Sequence, residues 1–313
     1  MTVAAVLIAY AIGVGTLGSV LLARARWTAR APLLAIVTYL AAEWSVVAAL
    51  GLAGLTLAIH ATALGGGLSH LIGACVLRLR ETYGTPGGAT VAALGLTLAG
   101  AVAARTVLTA MTHLRSAGQQ ALLHAETARL VGRPEPSLGA VLVEHSDPVA
   151  YCVAGRHPTV ILSTGAVQAL EPAQLSAVLA HERAHLTGRH HRLLALARIG
   201  RLVLPFLPLM RDADAQVARL VEMHADDAAA RAGDPRSLAT ALVVLATGTS
   251  PAPALAASAT DSVQRIRRLL LPAEPLGRAR RRLLRATAAS LAVTPVLLAL
   301  APAMLALALG RVA

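Results

Sequence analysis

The chain has 313 residues, a formal net charge of +12, a hydrophobic content of 56% with only 2% aromatics, and a mean hydropathy of +0.64. This is the composition of a membrane protein, and it excludes an ordinary soluble globular domain. Every basic residue is arginine, and the arginines cluster beside apolar runs, which favours a membrane surface over nucleic acid as the partner of the positive charge. Cys75 and Cys152 lie in unlike segments and provide neither a disulfide framework nor a CxxC metal site.

Thr2 to Leu22 is apolar and about 20 residues long, enough to cross a bilayer. Its charge follows it at Arg24, Arg26 and Arg30, so an uncleaved span with an external N-terminus is expected. Pro32 to Ile59 reads as a second span, opening on a proline and carrying Glu43 in its interior, where a protonated or partnered carboxyl facing other helices is expected. Residues 60–88 read as an external loop with an interfacial helix at Leu68 to Leu79 and a turn at Gly84 to Gly88; His60 and His70 read as loop polar groups. Ala89 to Met111 is the third span, with Arg105 expected to reach for the interface.

Beyond it, Leu114 to Val131 has helical spacing, ended by Arg133-Pro134-Glu135-Pro136. Short strands are expected at Val141 to Val143, Ala150 to Val153 and Thr159 to Leu162. Thr164 is a candidate cap for a short helix, and Pro172 opens the next one. Leu193 to Met210 is apolar but interrupted by Arg198, Arg201, Pro205 and Pro208, and reads as a helix lying on or dipping into the membrane. Helices follow from Asp212 to Arg231 and from Pro235 to Thr247. A loop over Ser250 to Ala259 could gate a cleft, and Asp261 caps a basic helix to Leu271. Arg278, Arg280, Arg281, Arg282 and Arg285 then precede a last span, Ala286 to Leu309, and place its start in the cytoplasm.

The chemistry gathers at His181-Glu182-Arg183-Ala184-His185. On a helix, residues four apart share a face, so His181 and His185 can grip one ion while Glu182 reaches a water beside it. Arg183 departs from the strictest form of the pattern, which prefers an uncharged residue there. Downstream, Glu222 and Asp226 are again four apart: Glu222 can complete a His-His-Glu zinc site and Asp226 can hold the free ring nitrogen of a ligating histidine. His190 and His191 are not at ligand spacing with the pair.

His181-Glu182-x-x-His185 followed by Glu222-x-x-x-Asp226 resembles the gluzincin membrane metallopeptidases, most closely the BlaR/MecR type, with HtpX-like and CAAX-prenyl-type proteases as relatives. The resemblance runs over about Val141 to Arg231. It implies an endopeptidase with one Zn2+ per chain bound by His181, His185 and Glu222, and Glu182 as general base. In related proteases a strand such as Thr159 to Leu162 lies on the cleft rim and pairs with substrate backbone; an ordinary core strand is the alternative. BlaR-type receptors carry a ligand-binding domain after the last span. None is expected here, so β-lactam sensing is not implied.

The expected architecture is an α-helical membrane protein of about four transmembrane helices with an inserted small α+β zincin-like metallopeptidase domain. The divisions expected are a three-span region over 1–111, a cytoplasmic peptidase domain over 112–282 with 193–210 membrane-associated, and a C-terminal span over 283–313. The expected function is hydrolysis of protein or peptide substrates, such as a regulator or a membrane protein, at the cytoplasmic face of the cell membrane, in signalling or quality control. The lipid bilayer is a partner and nucleic acid is not. The rivals are a non-catalytic membrane regulator with a structural zinc site and a metal transporter, whose ligands would lie within the spans rather than between them.

Overall fold

The computed structural model describes residues 2–58, 88–155, 157–248, 255–271 and 274–309. The interfacial helix expected at Leu68 to Leu79, almost all of the turn at 84–88, and the first half of the loop expected at 250–259 lie outside these residues.

Helix α1 (Thr2–Ala23) buries Ala4, Leu7, Ala11, Gly15 and Ser19, a stripe with spacings of three and four. Its other faces expose Ile12, Leu17 and Leu21, as a helix surrounded by lipid would. Helix α2 (Pro32–Ala58) is the hub, packed on α1 and on helices that come later in the chain. Small residues set how closely it packs. A Cβ on Gly54 would stand 2.6 Å from the Gly95 carbonyl oxygen, and one on Gly95 would stand 2.6 Å from that of Gly54.

The third span and the helix expected after it are one element, α3 (Gly88–Val131). At 44 residues it is about 66 Å long, roughly twice the hydrocarbon thickness. Its far half therefore extends past the length a bilayer needs and stands beside the sheet. Arg105 has partners within the protein. Its Nε and Nη2 donate to the carbonyls of Val203 and Leu202, both at 2.7 Å, and so cap a helix end.

Strands β1 (Arg133–Glu135), β2 (Ala140–Val143), β3 (Ala150–Val153) and β4 (Thr159–Ser163) form a sheet of order β1-β2-β4-β3. β4 runs parallel to β2, with Val141 opposite Ile161, and antiparallel to β3, with Cys152 opposite Val160. β4 is therefore interior and buried, and both its edges are taken. The strand on the rim is β3. This corrects the expectation that Thr159 to Leu162 pairs with substrate, because a strand with two neighbours has no free ladder to offer.

Ser163, not Thr164, caps the short helix α4 (Thr164–Ala169), its Oγ accepting from the Ala166 N–H at 2.9 Å. Helix α5 (Pro172–Thr187) starts on Pro172, with Gln174 accepting from the Glu171 N–H. Leu175, Val178 and Leu179 root α5 in the core under the sheet, against Leu162, Val160 and Ala166. Arg189, in the left-handed region at φ 49°, then folds the chain back into α6 (His190–Val203).

A break at 204–207 separates α6 from α7 (Pro208–Ala232), which starts at Pro208 rather than Asp212. Arg198 and Arg201 each reach Asp214 Oδ2 at 2.8 Å, tying the two helices together. Val217, Leu220, Val221 and Met223 of α7 and Ala197 and Ile199 of α6 share one core with Leu7, Ile36, Tyr39 and Val46 of the spans. Glu43 is fully buried there against Gly200, so close that any Cβ at residue 200 would collide with its carboxylate. Helix α8 (Pro235–Gly248) is followed by α9 (Leu255–Leu270), which begins well before Asp261. The last helix, α10 (Arg278–Leu309), joins the arginine cluster and the apolar run in one element. Among the described residues, four helices, α1, α2, α3 and α10, are long and apolar enough to cross a membrane.

Candidate metal centre

Helices α5 and α7 pack side by side and bring the two motifs together. Nε2 of His181 and Nε2 of His185 lie 3.1 Å apart. Glu222 Oε2 is 3.6 Å from the first and its Oε1 is 3.5 Å from the second. Two donor atoms bound at about 2.0–2.1 Å to a tetrahedral ion are ~3.3 Å apart, so these spacings suit zinc. The donor set, two imidazoles and one carboxylate, suits it as well. Among the described residues, His181, His185 and Glu222 are the group whose ligand atoms converge in this way.

Each donor is held from behind. His181 Nδ1 is 3.1 Å from Asp226 Oδ1, close enough for charge pairing although off the direction of a hydrogen bond. Asp226 is 0% exposed. Burial alone would raise its carboxyl, but hydrogen bonds from Arg265 and the adjacent His181 outweigh that and hold it at about 2. For His181, burial favours the neutral ring, yet the Asp226 and Glu222 carboxylates push it up to about 9. The pocket is thus built to favour a cation. On Glu222, burial is again opposed, here by His181 and Arg265, and the net direction is downward.

Sequence reasoning missed Arg265 of α9. It grips Asp226 with both arms of its guanidinium, Nε to Oδ2 and Nη2 to Oδ1, each at 2.8 Å, while Nη1 stands 3.0 Å from Glu222 Oε2. This leaves Oε1 of Glu222 facing His185. Its neighbour Arg268 pairs with Asp227 at 2.6 Å and donates to the carbonyls of Ala29 and Met223, joining α9 to α7 and to the loop between the first two spans. No local signal marks Arg265, which lies 39 residues from Asp226 in one of many arginine-rich segments.

His190 was missed as well, because it is not at ligand spacing. It is buried, with Nδ1 3.0 Å from His185 Nδ1 and Nε2 2.8 Å from His224 Nδ1. If His185 presents Nε2 to an ion, its Nδ1 carries hydrogen and donates to His190, which in turn donates from Nε2 to His224. All three rings can then be neutral, and burial does pull His190 down to about 4. Gly188 makes room: a Cβ there would stand 2.5 Å from His190 Nε2. The doubled histidine just after the helix end is the one trace of this in the sequence.

Glu182 follows His181 on α5, and burial raises its carboxyl, an effect His181 partly offsets. Cys152 of β3 is its neighbour. Burial, with the Glu182 charge second, pushes the thiol up to about 12, so it remains a neutral donor toward that carboxylate. Arg183 points the other way, exposed, donating to the Leu138 carbonyl at 2.6 Å. A cavity of about 700 Å³ runs between α3 around Leu114 and His124, the rim strand β3, and His185 with His190.

One comparison with known proteins finds a match. Residues 115–211 match the model of peptidase family M48. The match supports a metallopeptidase; it takes in the sheet, α5 and α6 and ends before Glu222 and Asp226. It is made at the level of that family and not of the BlaR/MecR type. No curated protein and no solved structure matches the chain.

Proposed function

We propose that the chain is a membrane-bound zinc metalloendopeptidase that cleaves protein or peptide substrates at the cytoplasmic membrane face, with His181, His185 and Glu222 holding one Zn2+ and Glu182 as general base. The observation that carries this is the convergence of those three ligand atoms beside a half-buried glutamate that lies on the same helix as the two histidines. Bound there, zinc would supply Lewis acidity and lower the pKa of a water toward ~7. Glu182 would take the proton of the attacking water and return it to the leaving amine. Its raised proton affinity suits both transfers. Asp226 fixes the His181 ring, and His190 fixes that of His185. An extended substrate segment would add to the open edge of β3, with the long helix α3 as the opposite wall of the groove. The arginines at 24–30 and 278–285 support the cytoplasmic side for this half of the chain.

The test compares the full chain with Glu182→Gln in detergent, for zinc content and for cleavage of an unfolded casein-like substrate. About one zinc in both is expected, with cleavage reduced roughly 10²–10⁴-fold in the variant. A wild type without zinc would sink the reading. Zinc in both with equal cleavage would remove Glu182 from its role, and zinc in both with no cleavage would favour a regulator with a structural ion.

A further inference from the structure

At the end where α1 leaves the apolar region and where α2 and α10 enter it lies a second cavity, of about 560 Å³. Four arginines line it: Arg30 before α2, Arg231 at the end of α7, and Arg281 with Arg285 one turn apart on α10. All four are exposed, and among the described residues none is paired with a carboxylate. The one acidic residue in the wall, Asp227, is already taken by Arg268. Four guanidiniums around one hollow repel each other unless an anion joins them.

The opposite wall is apolar. Leu33 and Val37 of α2 are four apart on one helical face, and both remain nearly half exposed (47% and 46%). A ligand that fits both walls carries a phosphate and a hydrocarbon chain. Guanidinium pairs bind phosphate oxygens in forks. The hollow lies at the level where spans meet water, which is where phospholipid phosphates sit.

We propose that this cavity binds the phosphate of an anionic phospholipid, with an acyl chain lying along Leu33 and Val37. The proposal rests on the membrane-spanning reading of α1, α2 and α10. The cavity also borders the metal centre, since His224 in its wall touches His190, which touches His185.

The test uses the full chain in neutral detergent with fluorescent phosphatidylglycerol as probe and phosphatidylcholine as its neutral counterpart. Arg281→Gln with Arg285→Gln removes two cations from the wall. Arg280→Gln with Arg282→Gln removes the same charge from the same helix outside it. The first pair should weaken phosphatidylglycerol binding about twenty-five-fold, at roughly fivefold per arginine, and the second pair should leave it nearly unchanged. Equal losses in both pairs would mean diffuse attraction and overturn the proposal. So would equal binding of the two lipids, or displacement of the probe by inorganic phosphate at comparable concentration, which would mark a soluble anion. Zinc content should not move in either pair. Alkaline extraction of the chain from membranes would sink the membrane reading and this proposal together, whereas retention without lipid preference would sink this proposal alone.

Discussion

The two helices that carry the candidate ligands are rooted in different cores. α5, with His181 and His185, is fixed by Leu175, Val178 and Leu179 against the sheet. α7, with Glu222, is fixed by Val217, Leu220 and Val221 among the spans. Between the cores lies a thin seam built on Ala177, Ala229 and Ala239 with Leu238 and Leu269. The convergence of three ligand atoms is therefore a property of the seam rather than of either core. A site split in this way lets a change in the spans reach the chemistry through α7 alone, and it makes whatever bridges the seam decisive.

Arg265 is the strongest such bridge, because it ties α9 to two carboxylates of α7 and stands beside His181 of α5. Arg265→Ala leaves Asp226 buried without its cation, which should cost about 3 kcal/mol or more. It should also lower zinc affinity, measured against a chelator, because Glu222 and Asp226 lose their fixed positions. If thermal stability and zinc affinity both hold, the seam is kept by packing alone and the comparison of cores loses its force.

What could be read from the sequence divides in the same way. The four helices long and apolar enough to cross a membrane were legible because a bilayer demands long apolar runs. The pairs His181 with His185 and Glu222 with Asp226 were legible because a helix converts a spacing of four into a shared face. That the pairs meet depends on two helices settling at one register, which no local pattern records. Arg265 and His190 were invisible for that reason. The rim strand was misjudged for a related one: strand order is decided by pairing between distant segments, so no single strand's sequence tells which one keeps a free edge. The third span and its continuation differ in polarity and so looked like two helices, although no residue between them interrupts the backbone ladder of α3.

A paired substitution separates the two cores. Leu179→Ala opens a hole under the sheet and should cost about 2–5 kcal/mol. Gly54→Ala forces a methyl into the crossing of α2 and α3 and should cost about 1–3 kcal/mol. The first should weaken zinc binding, because it loosens the helix that holds both histidines. The second should destabilise the spans while the folded fraction binds zinc as before. Loss of zinc in Gly54→Ala, measured on folded protein, would show that strain in the spans does travel along α7.

The smallest effect is expected at Arg183, the residue that departs from the strictest form of the metal motif. It lies between His181 and His185 in sequence but on the outer face of α5, where its side chain donates to the Leu138 carbonyl in the turn between β1 and β2. It belongs to the sheet side and makes no contact across the seam. Arg183→Ala should therefore change stability by no more than about 0.5 kcal/mol. Zinc affinity should be unchanged, because neither histidine leans on the guanidinium and burial of the apolar face already fixes α5. A large drop in zinc affinity from this exposed change would mean that the turn at Leu138, not the core beneath the sheet, sets the position of the two histidines.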